Sequence, residues 1–552
     1  MISPLVAPPP SRGGTRPGHA RAEPQGSWWS RHRLPVLSVG LVIPLYAVWA
    51  WLFATGGGDL AAQDAWTEFT SRFPGSAYNL SWYGGTHVAN YSVLSPYAMS
   101  WFGVRTVAVA SGLASSWCAA ALLARTSLAR PLAPALLASF ALWCDVVSGR
   151  TTFALGTAFA LAACLAVSGG SRRLVPAATC SVLATLASPV AGLFLVVAGA
   201  AWLLARDLWR AAVLLLPPVV VVALTTVVFP FQGEQPMSFG RIWPPFLFSA
   251  VVATWAPREW RIVRLGAAVY AVGIVLAYLV PSPIGDNVER LAGLFAPAVL
   301  AACLLAARGG PVRVVSLGVA LTLSVAWLTE KTVDDLVIST SVPAWAAHTG
   351  GVTGELRRLG ADRTRIEVVP ARDHREATVF ARQFSLARGW NRQLDMRRDG
   401  LFYGPELPAA AYHAWLRDQA VGFVVLHDGR PDDHAVQEAA LLNTPPNWLT
   451  PVWHDADWRV FRVRDATPMV SGRGSVVRLT GGDIVVSVPR PESVTIRVAY
   501  SPWLRVSHGT ACLSKSGSGP WTRLTAPRAG TYDIGSPYRL HRHGACGVAD
   551  PA

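Results

Sequence analysis

The sequence predicts a polytopic α-helical membrane protein with about eleven transmembrane helices, followed by an extracytoplasmic α/β module and a small β-sandwich. Of the 552 residues, 52% are hydrophobic and 15% are charged, whereas soluble domains carry roughly 25% charged residues. The long apolar runs are confined to residues 35–329, and residues 330–552 have an ordinary polar composition. Two regions in two different solvents explain this division most simply.

The predicted spans follow from the length of the apolar runs. A hydrocarbon core about 30 Å thick requires roughly 20 apolar residues per helix, or fewer where the helix is short. The matching runs are 35–55, 103–124, 131–147, 152–168, 174–188, 190–205, 211–229, 243–256, 263–281, 291–307 and 312–328. The runs 174–188 and 190–205 meet at Ser188 and Pro189, and form either a hairpin or one kinked helix.

Basic residues predict the orientation of the spans. With the N-terminus in the cytoplasm, sixteen arginines lie on the cytoplasmic side and five on the opposite side, as the positive-inside rule requires. This orientation makes 1–34, rich in Pro, Gly, Ser and Arg, a disordered cytoplasmic tail and places the C-terminal region outside. Topology therefore explains the net charge of +15 without a nucleic-acid partner. The preference for arginine over lysine favours a GC-rich bacterium such as an actinobacterium.

Residues 330–468 are predicted to form the α/β module. Short apolar runs predict buried strands at 366–370 and 421–427, helical spacing covers 408–420 and 434–442, and 450–464 reads as a hairpin. Residues 469–552 alternate between apolar and polar positions over 475–479, 484–488 and 493–500, which is typical of a small β-sandwich. Cys512 and Cys546 are the only cysteines in this tail, and an oxidising exterior favours a disulfide between them.

The first exterior loop, residues 56–102, contains the candidate substrate-binding residues. Asp59 follows the first span directly, and Gln63 and Asp64 come one helical turn later. The loop then supplies Trp82, Tyr83, His87, Asn90 and Tyr91. Aromatic rings and amides suit a sugar, because its apolar faces stack while its hydroxyls need hydrogen-bond partners.

With an acidic residue just past the first helix, the chain resembles the GT-C superfamily of polyprenyl-phosphate-dependent membrane glycosyltransferases, which includes oligosaccharyltransferases and actinobacterial arabinofuranosyltransferases. The resemblance covers the layout of residues 35–329. It implies that Asp59 is the catalytic base, with Asp64 as the second candidate. It also implies a polyprenyl-phosphate sugar donor and an envelope glycan or lipid as acceptor. Some members use a divalent metal, but no carboxylate cluster here is dense enough to predict one.

A lipid-phosphate leaving group needs a cation at the membrane surface. Arg290 ends an exterior loop beside Asn287 and is the first candidate for binding the donor phosphate; Arg150 and Arg241 are the others. Asn287 is a further candidate for substrate contact.

Several of these residues also have structural interpretations. Asp59 could cap a helix beginning at Leu60, and Arg290 could pair with Asp286 or Glu289. Asp145 could pair with Arg150. Interfacial packing is the alternative for Trp82 and Tyr83.

Two other functions stay open. A secondary transporter would also have many spans, but polar residues would then be expected near mid-bilayer. A catalytically inactive glycan-binding or scaffolding protein is the third hypothesis.

Overall fold

Helices form most of the N-terminal part of the chain. The computed structural model describes residues 28–538 except 170–172, 232, 509 and 518. In the described part up to residue 339, the α-helices are α1 (Trp28–Val48), α2 (Asp59–Arg72), α3 (Ser95–Phe102), α4 (Val104–Leu123), α5 (Leu132–Val147), α6 (Thr151–Val167), α7 (Leu174–Ala187), α8 (Pro189–Leu204), α9 (Leu208–Val228), α10 (Phe239–Trp255), α11 (Arg261–Leu279), α12 (Arg290–Leu305) and α13 (Pro311–Ser339).

Each of the eleven apolar runs coincides with one of these helices. Within the described residues, six helices are long and apolar enough to cross a membrane: α1 with the π-helical turn Trp49–Phe53, α4, α9, α11, α12 and α13. Helices α5 to α8 are apolar but shorter, so the number of crossings and their orientation stay predictions. Helices α7 and α8 are separate, because Ser188 between them has an extended backbone.

Two helix boundaries differ from the prediction. Helix α1 begins at Trp28, inside the segment assigned to the tail, whereas residues 1–27 lie outside the described part. Helix α13 continues from the predicted end of its span at residue 328 to Ser339. The hydropathy falls there, but neither Gly nor Pro interrupts the helix.

Residues 56–102, the predicted first exterior loop, are folded rather than extended. They contain α2, α3 and a short hairpin of β1 (Tyr78–Asn79) and β2 (Thr86–His87). Trp66 on α2 and Trp82 in the hairpin belong to the same buried apolar cluster as Ile366 and Phe380 of the C-terminal region. The loop is therefore part of the core of the α/β module.

The α/β module is built on a five-stranded sheet. Its strands are β3 (Arg365–Val368), β4 (Ser385–Leu386), β5 (Val421–His427), β6 (Leu449–His454) and β7 (Trp458–Val463), in the order β4-β3-β5-β7-β6. Strands β3, β4 and β5 are parallel, while β6 and β7 form the antiparallel hairpin. The accompanying helices are α14 (Ala344–Ala347), α15 (Gly350–Arg358), α16 (Glu376–Val379), α17 (Arg392–Arg398), α18 (Ala409–Asp418) and α19 (Val436–Asn443).

Two antiparallel sheets follow. One has the order β10-β13-β12 and the other β11-β14-β9-β8, formed by β8 (Ser475–Leu479), β9 (Asp483–Val488), β10 (Glu492–Ala499), β11 (Arg505–His508), β12 (Cys512–Lys515), β13 (Trp521–Ala526) and β14 (Gly530–Gly535). Their inward residues share one core that includes Val486, Ile496 and Leu524. Cys512 is disulfide-bonded, and Cys546 lies outside the described residues.

Candidate functional site

Asp59 is the first residue of helix α2, and it does not act as the cap of that helix. The capping position is Gly58, and no side chain forms a cap hydrogen bond there. The Asp59 carboxylate is about one-third exposed. It is therefore free of the capping role that was its structural alternative.

Arg150, between α5 and α6, is the centre of a cluster of carboxylates. Its guanidinium lies 3.6 Å from Asp59, 3.8 Å from Asp145 and 3.2 Å from Asp335. Only the contact with Asp335 is a hydrogen bond, and Nε of Arg150 is buried without a hydrogen-bond partner. Arg150 thus holds three acids from three different segments around one cation.

Arg290 adjoins this cluster but is not paired. It begins α12, its guanidinium lies 5.2 Å from the centroid of the Phe153 ring, and it is close enough to Arg150, Asp59 and Tyr91 to interact with them electrostatically. Among the described residues, no carboxylate oxygen lies within 4 Å of its guanidinium. Arg290 is thus a half-buried cation whose charge is not neutralised by a directly paired carboxylate of the described residues.

The acids that could have neutralised Arg290 have other partners. Asp286 and Glu289 lie 3.0 and 3.8 Å from Arg241, and Glu289 also pairs with Lys331. Because these acids neutralise the charge of Arg241, Arg241 is a weaker candidate for phosphate binding. We call these four residues the second ionic group. Asn287, which follows Asp286 in the sequence, donates a hydrogen bond from its side-chain amide to the side-chain oxygen of Gln235 at 3.2 Å.

Gln63 and Tyr91 lie beside Asp59. Gln63 is four residues after Asp59, so both side chains lie on one face of α2, and its amide donates to the Tyr91 hydroxyl at 2.5 Å. The Tyr91 ring stacks on Trp66. Burial raises the pKa of Tyr91, and the charge of Asp59 raises it further, so the hydroxyl stays protonated at neutral pH and can donate a hydrogen bond.

Asp64 and Asp59 pair with different arginines. Asp64 forms an ion pair with Arg105, whose guanidinium also donates to the Ala54 carbonyl. This pair attaches α2 to the end of the first helix. The contacts favour a structural role for Asp64, and its catalytic role stays an untested hypothesis.

The remaining loop residues are held by protein partners. Trp82 is 1% exposed and donates to the Ala377 carbonyl, and the Tyr83 hydroxyl donates to the Gly389 carbonyl. These contacts correspond to the packing alternative, so we leave both residues out of the proposed site.

His87 and Asn90 bind elsewhere in the fold. The His87 ring is hydrogen-bonded to Ser501 of the C-terminal sheets at 2.9 Å, and burial lowers its pKa to about 4, which leaves it neutral. Asn90 donates to the Pro230 carbonyl at 3.3 Å. Both join the first loop to other segments, and we do not assign them to the site.

The α/β module holds the start of α2 in place. The Gly58 amide donates to the Asp373 carbonyl at 2.7 Å. The buried guanidinium of Arg375 donates to Thr55 and to the carbonyl oxygens of Ser339 and Ser341. These bonds join the loop after β3 to the end of α13 and to the short segment between α1 and Asp59.

The sequence interpretation missed Asp335, Lys331 and Arg375. Asp335 and Lys331 lie on the part of α13 beyond the apolar span. The absence of Gly and Pro after residue 328 is the sequence signal that predicts this continuation of the helix. No sequence signal indicated the contacts of Arg375. Within the described residues, no group of three or more His, Cys, Asp or Glu is placed to hold a metal ion.

Comparisons with known proteins cover parts of the chain. Residues 471–550 match a family described as a domain of unknown function, DUF8823. No curated protein matches the chain. Among solved structures, the chain is similar to the arabinofuranosyltransferase AftD from Mycobacteria, with 14% identity and a TM-score of 0.44 over 83% of this chain and 41% of that one. A mutant form of the same enzyme gives 15% identity and a TM-score of 0.43 over 79% and 42%. The chain spans about two fifths of the length of these enzymes.

Proposed function

We propose that this protein is a membrane glycosyltransferase that transfers a sugar from a polyprenyl-phosphate donor to an extracytoplasmic glycan or lipid acceptor during cell-envelope biosynthesis. The observation that carries the proposal is the juxtaposition of a partly exposed carboxylate, Asp59, with the unpaired cation Arg290. Both are near Arg150: Asp59 begins α2 shortly after the first apolar helix, and Arg290 begins the apolar helix α12. A base and an anion site at the surface of a helical bundle are the two groups that this transfer requires.

In the proposed reaction, Asp59 takes the proton of an acceptor hydroxyl, which is a poor nucleophile without a positioned base. The acceptor oxygen forms a bond to the anomeric carbon while the bond from that carbon to the phosphate oxygen breaks. The electron pair leaves with the polyprenyl phosphate, and the configuration of the anomeric carbon is inverted.

Two arginines serve the leaving group in this scheme. Arg290 binds the donor phosphate, and a charge-assisted hydrogen bond stabilises the negative charge that grows on it. Arg150 attracts the Asp59 carboxylate, 3.6 Å away, while Asp145 and Asp335 neutralise part of the charge of Arg150. Tyr91, held by Gln63, is placed to donate to a sugar hydroxyl.

The test is transfer from radiolabelled polyprenyl-phosphate sugars in membranes that contain the native protein or Asp59→Asn. We expect transfer by the native protein and a loss of roughly 100-fold or more in the variant, since general-base catalysis contributes about 10²–10⁴-fold. Asp433→Asn is the matched control. Asp433 belongs to the α/β module, outside the carboxylate cluster around Arg150, and its side chain is 81% exposed. Transfer that survives Asp59→Asn removes Asp59 as the base. The absence of transfer from any such donor, with the protein folded and inserted, overturns the proposed function.

A further inference from the structure

A groove in the helical bundle lies at the end opposite to Asp59. It has a volume of about 360 Å³ and is bordered by α4, α5, α6, α11 and α12. Arg105, near the start of α4, contacts the α2 end of the molecule, whereas the groove reaches Thr126, just past the end of that helix. On α12 it extends from Phe295 to Ala302, about 7 to 18 Å along the axis from Arg290. The groove is therefore separate from the proposed active site.

Small side chains on the facing helices create the space. Ala119 on α4, Ala138 on α5 and Ala298 on α12 border the groove, where a leucine or phenylalanine would fill part of it. Larger apolar groups, including Phe295 and Val299, line its length. Its surface is almost wholly apolar, and an apolar cavity of this kind does not hold ordered water.

Hydrocarbon is the solvent at this depth. Helices α4, α11 and α12 are long and apolar enough to cross a membrane, and the groove runs along the half of the bundle away from Asp59. A cleft between such helices faces lipid chains. On α12 the groove extends from Phe295 to Ala302, or about 10 Å along the axis, which accommodates part of an acyl chain.

The mouth of the groove carries unpaired positive charge. Arg261 begins α11 and lines the groove, and Arg258 lies in the preceding turn; both are exposed. Within the part of the chain that the structure describes, neither forms an ion pair, and Arg261 has one long hydrogen bond, of 3.5 Å, to the Leu204 carbonyl. Glu259 is the single acid in this turn. Basic pockets between membrane helices bind anionic headgroups.

We propose that this groove binds one anionic phospholipid of the bilayer leaflet opposite to Asp59. One acyl chain lies along α12 between Phe295 and Ala302, and the phosphate lies at Arg261 and Arg258. The site is independent of the proposed sugar transfer.

The experiment uses the purified full-length protein in detergent, with added dioleoyl-phosphatidylglycerol or dioleoyl-phosphatidylcholine. Binding is followed by the thermal midpoint and by native mass spectrometry. A ligand that binds only the folded state raises the midpoint. We expect phosphatidylglycerol to give the larger shift and one retained phospholipid per chain.

Two variants test the site, each with a matched control. Val299→Trp fills the groove and should reduce the phosphatidylglycerol shift to that of phosphatidylcholine. Val319→Trp makes the same change on α13, where Val319 is 53% exposed, and should preserve the shift. Arg261→Gln should make the two lipids equivalent, whereas Arg313→Gln, at the start of α13, should not. Should Val299→Trp fail to fold, the comparison of Arg261→Gln with Arg313→Gln still decides the question.

Three results overturn the proposal. The first is an equal shift with both lipids in the native protein. The second is a phosphatidylglycerol shift that survives either Val299→Trp or Arg261→Gln. The third is retention of a polyprenyl lipid or of a second copy of the chain, rather than a phospholipid, at the groove. None of these results depends on transferase activity, so they leave the proposed function untouched.

Discussion

The Gly58 amide donates a 2.7 Å hydrogen bond to the carbonyl oxygen of Asp373, which joins the residue before the candidate base to the loop after β3. Arg375, two residues further on, extends this junction by bonding to the ends of α1 and α13. The start of α2 is thus held between the helical bundle and the α/β module. The geometry around Asp59 depends on both parts of the protein.

The first prediction concerns Arg375. Arg375→Lys should destabilise the junction, because lysine cannot replace a planar guanidinium that donates in several directions. Lysine keeps a positive charge beside the buried Asp373 carboxylate but cannot also replace the bonds to Thr55, Ser339 and Ser341, so a loss of about 2–4 kcal/mol is expected. Thermal unfolding and limited proteolysis around residues 340–350 measure the effect. Arg382→Lys is the control: its partner Glu68 is 3.7 Å away and Arg382 is 54% exposed, so a change below about 1 kcal/mol is expected. Equal effects would contradict a special role for Arg375.

The second prediction concerns Gly149, which is packed against the backbone at the start of α2. A Cβ atom there would lie 2.6 Å from the Leu60 nitrogen and 3.2 Å from the carbonyl carbon of Asp59. Gly149→Ala should therefore displace Asp59, and a displacement of about 1 Å can cost roughly 100-fold in rate. Gly360→Ala shares the backbone strain, because the φ angles are +82° and +80°, but meets no atom within 4 Å. The measurement is the transfer rate of each variant per amount of folded protein. A loss of activity in Gly149→Ala alone is due to the contact of the new Cβ with α2, whereas a loss in both variants is due to backbone strain. The prediction fails if both variants lose equal activity.

The third prediction distinguishes the unpaired arginine from the paired one. Arg290→Gln should raise the KM for the donor, since a hydrogen bond to a charged group contributes roughly 1.5–3 kcal/mol, or about 10- to 150-fold. Arg241→Gln should change it much less, because Asp286 and Glu289 already neutralise Arg241. Initial rates against donor concentration provide the measurement. A larger effect at Arg241 would move the anion site to the second ionic group.

The fourth prediction concerns the pH dependence of stability. Burial would lower the pKa of His374, but the carboxylates of Asp432 and Glu376, 3.4 and 3.6 Å from its ring nitrogens, outweigh that effect and raise the pKa from 6.5 to about 9. The stabilisation from protonated His374 is therefore complete below pH 6.5 and is lost as the pH rises to about 9. It corresponds to about 3 kcal/mol.

The measurement is the thermal midpoint between pH 6 and pH 10. His374→Gln should lower the midpoint at pH 6 and have little further effect at pH 10. His348→Gln is the control, because His348 is 70% exposed and should leave the profile unchanged. A constant difference between the native protein and His374→Gln over this range would show that the histidine acts by packing alone.

Much of the fold could be predicted from local patterns. Each of the eleven apolar runs coincides with a helix of the described residues, and the strand at 421–427 was predicted to the residue. These elements are determined by periodicity and by the length of each run. Asp59, Arg150 and Arg290 could be found because charged residues at the ends of apolar helices are few and costly.

The errors arise where tertiary contacts decide the role of a residue. Trp82 and Tyr83 are residue types that are common in sugar-binding sites, but both are buried against the α/β module. No pattern within residues 56–102 indicates this contact. Asp335 escapes prediction because the hydropathy falls after residue 328, which predicts the end of a helix that in fact continues to Ser339. Arg375 contacts residues distant in the sequence, which a single sequence does not reveal.

The continuous helix α13 has a consequence for the length of the chain. Asp335 meets Arg150, and Ser339, one turn later, is bonded to Arg375, so both contacts share one rigid rod. A single residue inserted after Leu328 would rotate both groups by about 100° and raise them by about 1.5 Å. An insertion of seven residues would nearly restore the angle yet move the α/β module by about 10 Å along the helix axis. The number of residues in this helix is therefore constrained as strictly as the identity of the charges on it.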